Sequence, residues 1–234
     1  MPSLWGDYMS TGVLSWGEIM STEIVVDEKA IMGMKPKQDI SELLKDIRPV
    51  DRVDKVLIIL LDCSGSMNDR WELSRKIDLA WHCLQKELSP NMSGWTYGII
   101  KFGNNTDWEI RPTNDISILM QMKKPEAHGT TSMLMALKEA WFWVGSYANQ
   151  ARFILISDGC PTDAFPEVIL SEAGNYHSIP IDTISVGSDT FDEKFLTGLS
   201  EITGGIFCRA HSVELLALNI YQLSPNQRPL FGNT

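Results

Sequence analysis

Apolar residues fall into two rhythms along most of this chain. The run KVLIILL, residues 55–61, is unbroken, which is the pattern of a strand covered on both faces. Beyond it, Leu73, Ile77, Trp81, Leu84 and Leu88 recur at steps of three and four, predicting one helix over residues 72–88 with a single apolar stripe. WTYGIIKFG reads as the next strand and DWEIR as its return, with GNNT between them as a hairpin turn, because Gly and Asn tolerate positive φ. A short helix is expected near residues 114–121. Leu134, Leu137, Trp141 and Val144 stripe the helix after Thr131, and RFILIS is a second wholly apolar strand. Pro166 suits the first turn of a further helix. IPIDTISVG is another strand, and Phe191, Phe195, Leu199 and Ile202 stripe a helix that Gly204-Gly205 stops. IFCRA is a last strand, and SVELLALNIYQL closes as a helix with Ser212 as its cap.

Strands alternating with helices imply parallel pairing, because a parallel connection needs a crossover and crossovers are usually helical. The expected fold class is therefore α/β: a doubly wound, Rossmann-like, mostly parallel sheet with one antiparallel edge strand and helices on both faces. The expected boundaries are an N-terminal extension at residues 1–52, a main domain at 53–223 and a flexible tail at 224–234. The extension is rich in Gly, Met and Trp. It contains a helical piece, QDISELLKDI, with Asp39 as cap and Pro49 after its end, and EIVVDEKAIMGM suits a hairpin around Asp27-Glu28.

Composition narrows the function classes. The formal net charge is -10, so the chain repels phosphate backbones and nucleic acid is excluded as a general partner. The N-terminus has no basic, apolar signal pattern, and no stretch reaches the roughly 20 apolar residues of a bilayer span. A cytoplasmic protein without membrane contact is expected. Cys63, Cys83, Cys160 and Cys208 lack metal spacing and read as small buried apolar residues.

Ligands of such sheets bind beyond the carboxyl ends of the strands. Asp62-Cys63-Ser64-Gly65-Ser66 follows the first strand, Asp158-Gly159 follows RFILIS, and HGTTS opens the helix near residue 132. Two carboxylates and several hydroxyls would converge there, with no cationic side chain among them. Oxygen donors of this kind suit hard cations, Mg²⁺, Mn²⁺ or Ca²⁺. Taken singly, these residues are also ordinary turn formers and caps. Asp69 and Asp163 read as solvated loop carboxylates, His128 as a surface histidine, and Trp71 as packing at a helix start.

These stretches resemble the von Willebrand factor A family. LDCSGSM is similar to that family's DxSxS motif, which begins a metal-ion-dependent adhesion site. GTTSMLMAL resembles its threonine segment, ILISDGCPTD its final aspartate loop, and IPIDTISVG and LSEITGGIFCRA its last strands, over residues 53–211 in all. The resemblance implies a metal site of Asp62, Ser64, Ser66, Thr131 and Asp158, with Mg²⁺ (or Mn²⁺ or Ca²⁺) as its ion. Counting back from Ala136-Leu137 selects Thr131, while nearness to Gly129 also permits Thr130.

The implied function is binding rather than catalysis, namely capture of a partner's Glu or Asp through the ion. Stand-alone intracellular domains of this kind often serve as adaptors for MoxR-type AAA+ ATPases or in large assemblies. Two alternatives stand beside this. In one, the chain is a structural subunit that uses residues 1–52 as its working arm. In the other, it is a Mg²⁺-dependent phosphohydrolase with Asp62 as nucleophile, although Ser64 stands where a general acid is commonly needed, and no GxxxxGK[ST] loop occurs. Oligomeric state is left open by the sequence.

Overall fold

The computed structural model describes residues 53–187, 193–225 and 227. The expectations for the extension, for Phe191 and for most of the tail lie outside those residues. Six strands form one sheet in the order β5-β4-β1-β6-β7-β8. They are β1 (Val53–Asp62), β4 (Thr96–Phe102), β5 (Thr106–Thr113), β6 (Ala148–Ser157), β7 (Ile181–Val186) and β8 (Phe207–Ala210). The pairs β1/β4, β1/β6, β6/β7 and β7/β8 are parallel, and only the edge strand β5 runs antiparallel, against β4. A separate two-stranded ribbon, β2 (Arg70–Trp71) with β3 (Ser74–Arg75), follows β1. The helices are α1 (Lys76–Cys83), α2 (Ser117–Gln121), α3 (Met133–Tyr147), α4 (Pro166–Asn175), α5 (Glu193–Thr203) and α6 (Val213–Leu223).

The unbroken apolar runs follow from burial on both faces. Along β1, Leu57, Ile59 and Leu61 enter one core with residues of α1 and α6, while Val56, Ile58 and Leu60 enter a second core with residues of α3, α4 and α5. A polar residue at either set would bury an unsatisfied group on one side of the sheet, so alternation is absent. Trp141 of α3 lies parallel to Tyr176 at 4.4 Å between ring centroids, tying α3 to the end of α4.

Two expected helices differ in detail. The stripe beginning at Leu73 starts too early. Glu72 adopts φ +53° at the tip of the β2–β3 ribbon, Leu73 is 91% exposed there, and the helix begins only at Lys76. Beyond Cys83 it widens to a π-helical turn at Leu84–Leu88 and then tightens to a 3₁₀ turn at Ser89–Asn91. Ile202, expected in the core stripe of α5, is exposed. Ser212 caps α6 as expected, with Leu215 N–H donating to its hydroxyl, and Pro166 opens α4.

At the sheet end opposite the site, Arg152 of β6 pairs with Asp182 of β7, both buried. The same Asp182 carboxylate accepts from Ile206 N–H at 2.8 Å and so sets where β8 begins. Gly205, just before it, passes so close to β7 that a Cβ there would sit 1.9 Å from the Ile181 carbonyl oxygen. Because that neighbour is backbone, it cannot swing aside. Gly205→Ala is expected to destabilise the domain by about 1–3 kcal/mol, the range of forced overpacking, read as a lower urea midpoint. An unchanged midpoint would contradict the close approach.

Candidate functional site

The strand order places the site. The chain leaves β1 towards β4 and β5, then returns across β1 to build β6, β7 and β8 on the other side. Crossovers therefore diverge at the carboxyl ends of β1 and β6, which opens a crevice there. Asp62 ends β1, and Asp158 is the first residue after β6.

Asp62 is fully buried. Its Oδ1 accepts from Ser64 N–H at 2.7 Å, and its Oδ2 accepts from Ser157 Oγ–H at 2.6 Å. Burial raises its pKa from 3.8 to about 6, against the lowering effect of those hydrogen bonds, and the nearby Asp158 adds a smaller push upward. Ser64 and Ser66 bring their hydroxyl oxygens within 3.1 Å of each other, and Ser66 Oγ–H donates to Asp158 Oδ1 at 2.7 Å. A serine has one hydroxyl hydrogen, so with Ser66 committed to Asp158, Ser64 is the donor between them. Asp62, Ser64, Ser66 and Asp158 are thus joined in one cluster at the strand ends.

Thr131 adjoins the cluster through its loop. Gly65 N–H donates to Gly129 O at 2.9 Å, and Thr131 and Thr162 exchange two bonds: Thr131 N–H to Thr162 Oγ1, and Thr162 N–H to Thr131 O, each at 2.9 Å. Thr131 is buried, whereas Thr130 is exposed and its hydroxyl is 3.1 Å from Asn104 Oδ1. The backbone at Gly129 has φ +81°, and a Cβ there would meet Asn104 Oδ1 at 2.1 Å. Asn104 cannot yield freely, because the same oxygen accepts from Thr130 N–H at 2.8 Å.

Several residues differ from their sequence reading. The cluster does contain a cationic neighbour: Lys76 reaches Asp158 Oδ2 at 2.6 Å from the first position of α1. Sequence reasoning missed it because the helix expected over residues 72–88 made Lys76 an ordinary polar position, and spacing does not show where a long side chain ends. Ser157 was missed as well, and its only signal is a hydroxyl closing the apolar run RFILIS. Asp163 is a helix cap, since its carboxylate accepts from Leu134 and Met135 N–H at 3.2 and 3.0 Å. Trp71 is buried as expected; of the four cysteines read as buried, Cys63 and Cys83 are, with burial pushing the Cys63 thiol up to about 12, whereas Cys160 is exposed and Cys208 half-buried. Arg75 and Lys124 grip Asp78 in the first turn of α1, holding its carboxyl well below the usual carboxylate range and fixing the turn that carries Lys76.

The donor set is oxygen throughout, with two carboxylates and neutral hydroxyls. Among the described residues no three His, Cys, Asp or Glu side chains group as metal ligands. Whatever cation the cluster suits must therefore accept hydroxyl oxygens, a property of hard ions.

Residues 57–160 match the family model of the von Willebrand factor type A domain. An aerotolerance-related membrane protein from Bacteroides fragilis is similar in structure, with a TM-score of 0.57 at 16% identity, over 74% of this chain and 99% of that one. The ArnB paralog VWA2 from Sulfolobus acidocaldarius gives 0.57 at 19% identity, over 75% of this chain and 46% of that one. The SpRpn10 VWA domain gives 0.56 at 15% identity, over 78% and 99%. A search of curated proteins gave no match. Part of the chain thus matches the von Willebrand factor type A model, and the described residues share the fold of those solved structures. No helix among the described residues is long and apolar enough to cross a membrane.

The raised pKa of Asp62 gives a testable pH dependence. A carboxyl group whose folded pKa is about 6 against an ordinary 3.8 favours the fold when protonated, so that stability is lost as pH rises through 6. In chelator, wild-type stability is expected to carry a penalty at pH 7 on the order of 3 kcal/mol from this group. Asp62→Asn removes the titration. Its denaturation free energy is expected to fall less steeply than wild type between about pH 4 and 7. Identical slopes would show that Asp62 titrates normally.

Proposed function

We propose that this domain is a metal-dependent protein-interaction module, in which Asp62, Ser64, Ser66, Thr131 and Asp158 hold a divalent cation, Mg²⁺ or in its place Mn²⁺ or Ca²⁺. The observation that carries the reading is the 3.1 Å separation of the Ser64 and Ser66 hydroxyl oxygens. Adjacent ligands of an octahedron with bonds of about 2.1 Å lie about 3.0 Å apart, so the two serines already stand at ligand spacing. When bound, the ion supplies an electrophilic face that takes a carboxylate oxygen from another molecule. The residues of this chain do the rest. Ser157 and Ser64 N–H orient Asp62 from behind, Ser66 aligns Asp158, and the Gly129 turn brings the threonine loop against the first. Neutral serines and threonine in place of further carboxylates leave positive charge for the incoming acid.

The reading is of docking without bond breaking. Asp62 as a phosphohydrolase nucleophile is the weaker reading, because Ser64 stands where a second acidic residue is commonly needed as general acid. The proposed partner is a protein presenting a Glu or Asp. A AAA+ ATPase of the MoxR type is the class implied by resemblance, and a cytoplasmic adaptor or assembly role goes with it.

With immobilised domain and Mg²⁺, peptides bearing Glu or Asp are expected to be retained over their Gln and Asn counterparts. Chelator, Asp62→Ala and the exposed-site change Ser66→Ala should each lower retention about tenfold or more, or at least 1.4 kcal/mol. Circular dichroism should show the variants folded. Retention unchanged by chelator would refute the metal-dependent reading.

A further inference from the structure

The Lys76–Asp158 ion pair sits inside the cluster just described and changes its charge. Lys76 Nζ is 2.6 Å from Asp158 Oδ2, and the two side chains are only 10% and 1% exposed. The pair is built rather than incidental. The lysine stem packs over Gly187, where a Cβ would come within 3.2 Å of Lys76 Cε, and Lys76 N–H donates to Asp69 O at 3.1 Å. The Asp158 carboxylate is divided, with Oδ1 facing Ser66 and Oδ2 facing the ammonium. Burying a lysine at the positive end of a helix is unfavourable unless a counter-charge is fixed beside it.

We propose that Lys76 is a resident counter-ion that makes uptake of the divalent cation depend on the partner's carboxylate. The inference rests on the metal-dependent reading above and deepens it. Asp62 and Asp158 carry two negative charges, and Lys76 returns one positive charge, so the cluster presents a net single negative charge to a divalent ion. The loaded site then keeps one positive charge that no residue of the cluster neutralises. A Glu or Asp from the partner supplies the missing negative charge. Ion and acid ligand therefore bind with positive coupling, and by linkage each tightens the other by the same factor. A site with two acidic residues and no lysine would be neutral once loaded, and would hold its ion with or without a ligand.

The test uses Mn²⁺ as probe, titrated alone and with saturating glutarate, by calorimetry and by the electron paramagnetic resonance signal of free Mn²⁺. It compares wild type, Lys76→Met and Lys76→Gln, two neutral replacements that keep part of the stem, with Ser66→Ala as the ligand-deficient control. Wild type is expected to bind Mn²⁺ weakly alone and about tenfold or more tighter with glutarate. Both Lys76 variants should bind Mn²⁺ alone about tenfold or more tighter than wild type, with a smaller gain from glutarate. A thermal midpoint that rises further with Mn²⁺ in the variants than in wild type would confirm that they fold and load. Equal Mn²⁺ affinity and equal glutarate gain in wild type and both variants overturn the counter-ion role and leave the metal reading standing. No Mn²⁺ uptake by any of the proteins, with or without glutarate, overturns both.

Discussion

A carboxylate with no access to water has to be answered by something, and at the end of β1 the answer organises the whole strand-end region. Asp62 is fully buried beneath the first loop, and its two oxygens are satisfied by the backbone of that loop and by the last residue of the neighbouring strand. The second of those bonds joins β1 to β6 at the point where the crossovers part. Moving either strand by one residue would take the Ser157 donor away from a buried carboxylate, which is costly. The protein tolerates this residue because the fold supplies hydrogen bonds, which offset part of the upward push of burial on its pKa.

The second carboxylate is treated differently. Asp158 is split between a serine on the side of Asp62 and an ammonium on the other, so one acidic group of the pair is already balanced within the chain. The Arg75–Asp78–Lys124 cluster, at the first turn of α1, fixes the start of the helix from which Lys76 reaches in. The charge balance at the strand ends is thereby tied to the start of a helix as well as to the two acidic loops.

Much of this was legible in the residues. Unbroken apolar runs in KVLIILL and RFILIS announce strands buried on both faces, and both cores form as that pattern requires. The acidic and hydroxyl residues that follow those runs had to meet, because parallel strands bring their carboxyl ends to one edge of the sheet. What the sequence hid was whatever depended on side-chain reach or on a single backbone angle. Leu73 fits the helical spacing and yet sits exposed at a ribbon tip, because Glu72 turns the chain through positive φ. Lys76 reads as an ordinary polar position on a helix, and only its extended stem over Gly187 brings it to Asp158. Asp163 looks like a loop residue until the end of α3 is seen to lie against it. Periodicity reports which face is buried but carries no information about where a long side chain ends.

The central claim is that hydroxyls and carboxylates from separate loops surround one ion. The most direct measurement is the anomalous scattering of crystals grown with Mn²⁺. The account predicts a single strong peak between the ends of β1 and β6, at direct coordination distance, about 2–2.3 Å, from both Ser64 Oγ and Ser66 Oγ. A crystal at millimolar Mn²⁺ with an acidic ligand present and no peak between those serines would contradict it.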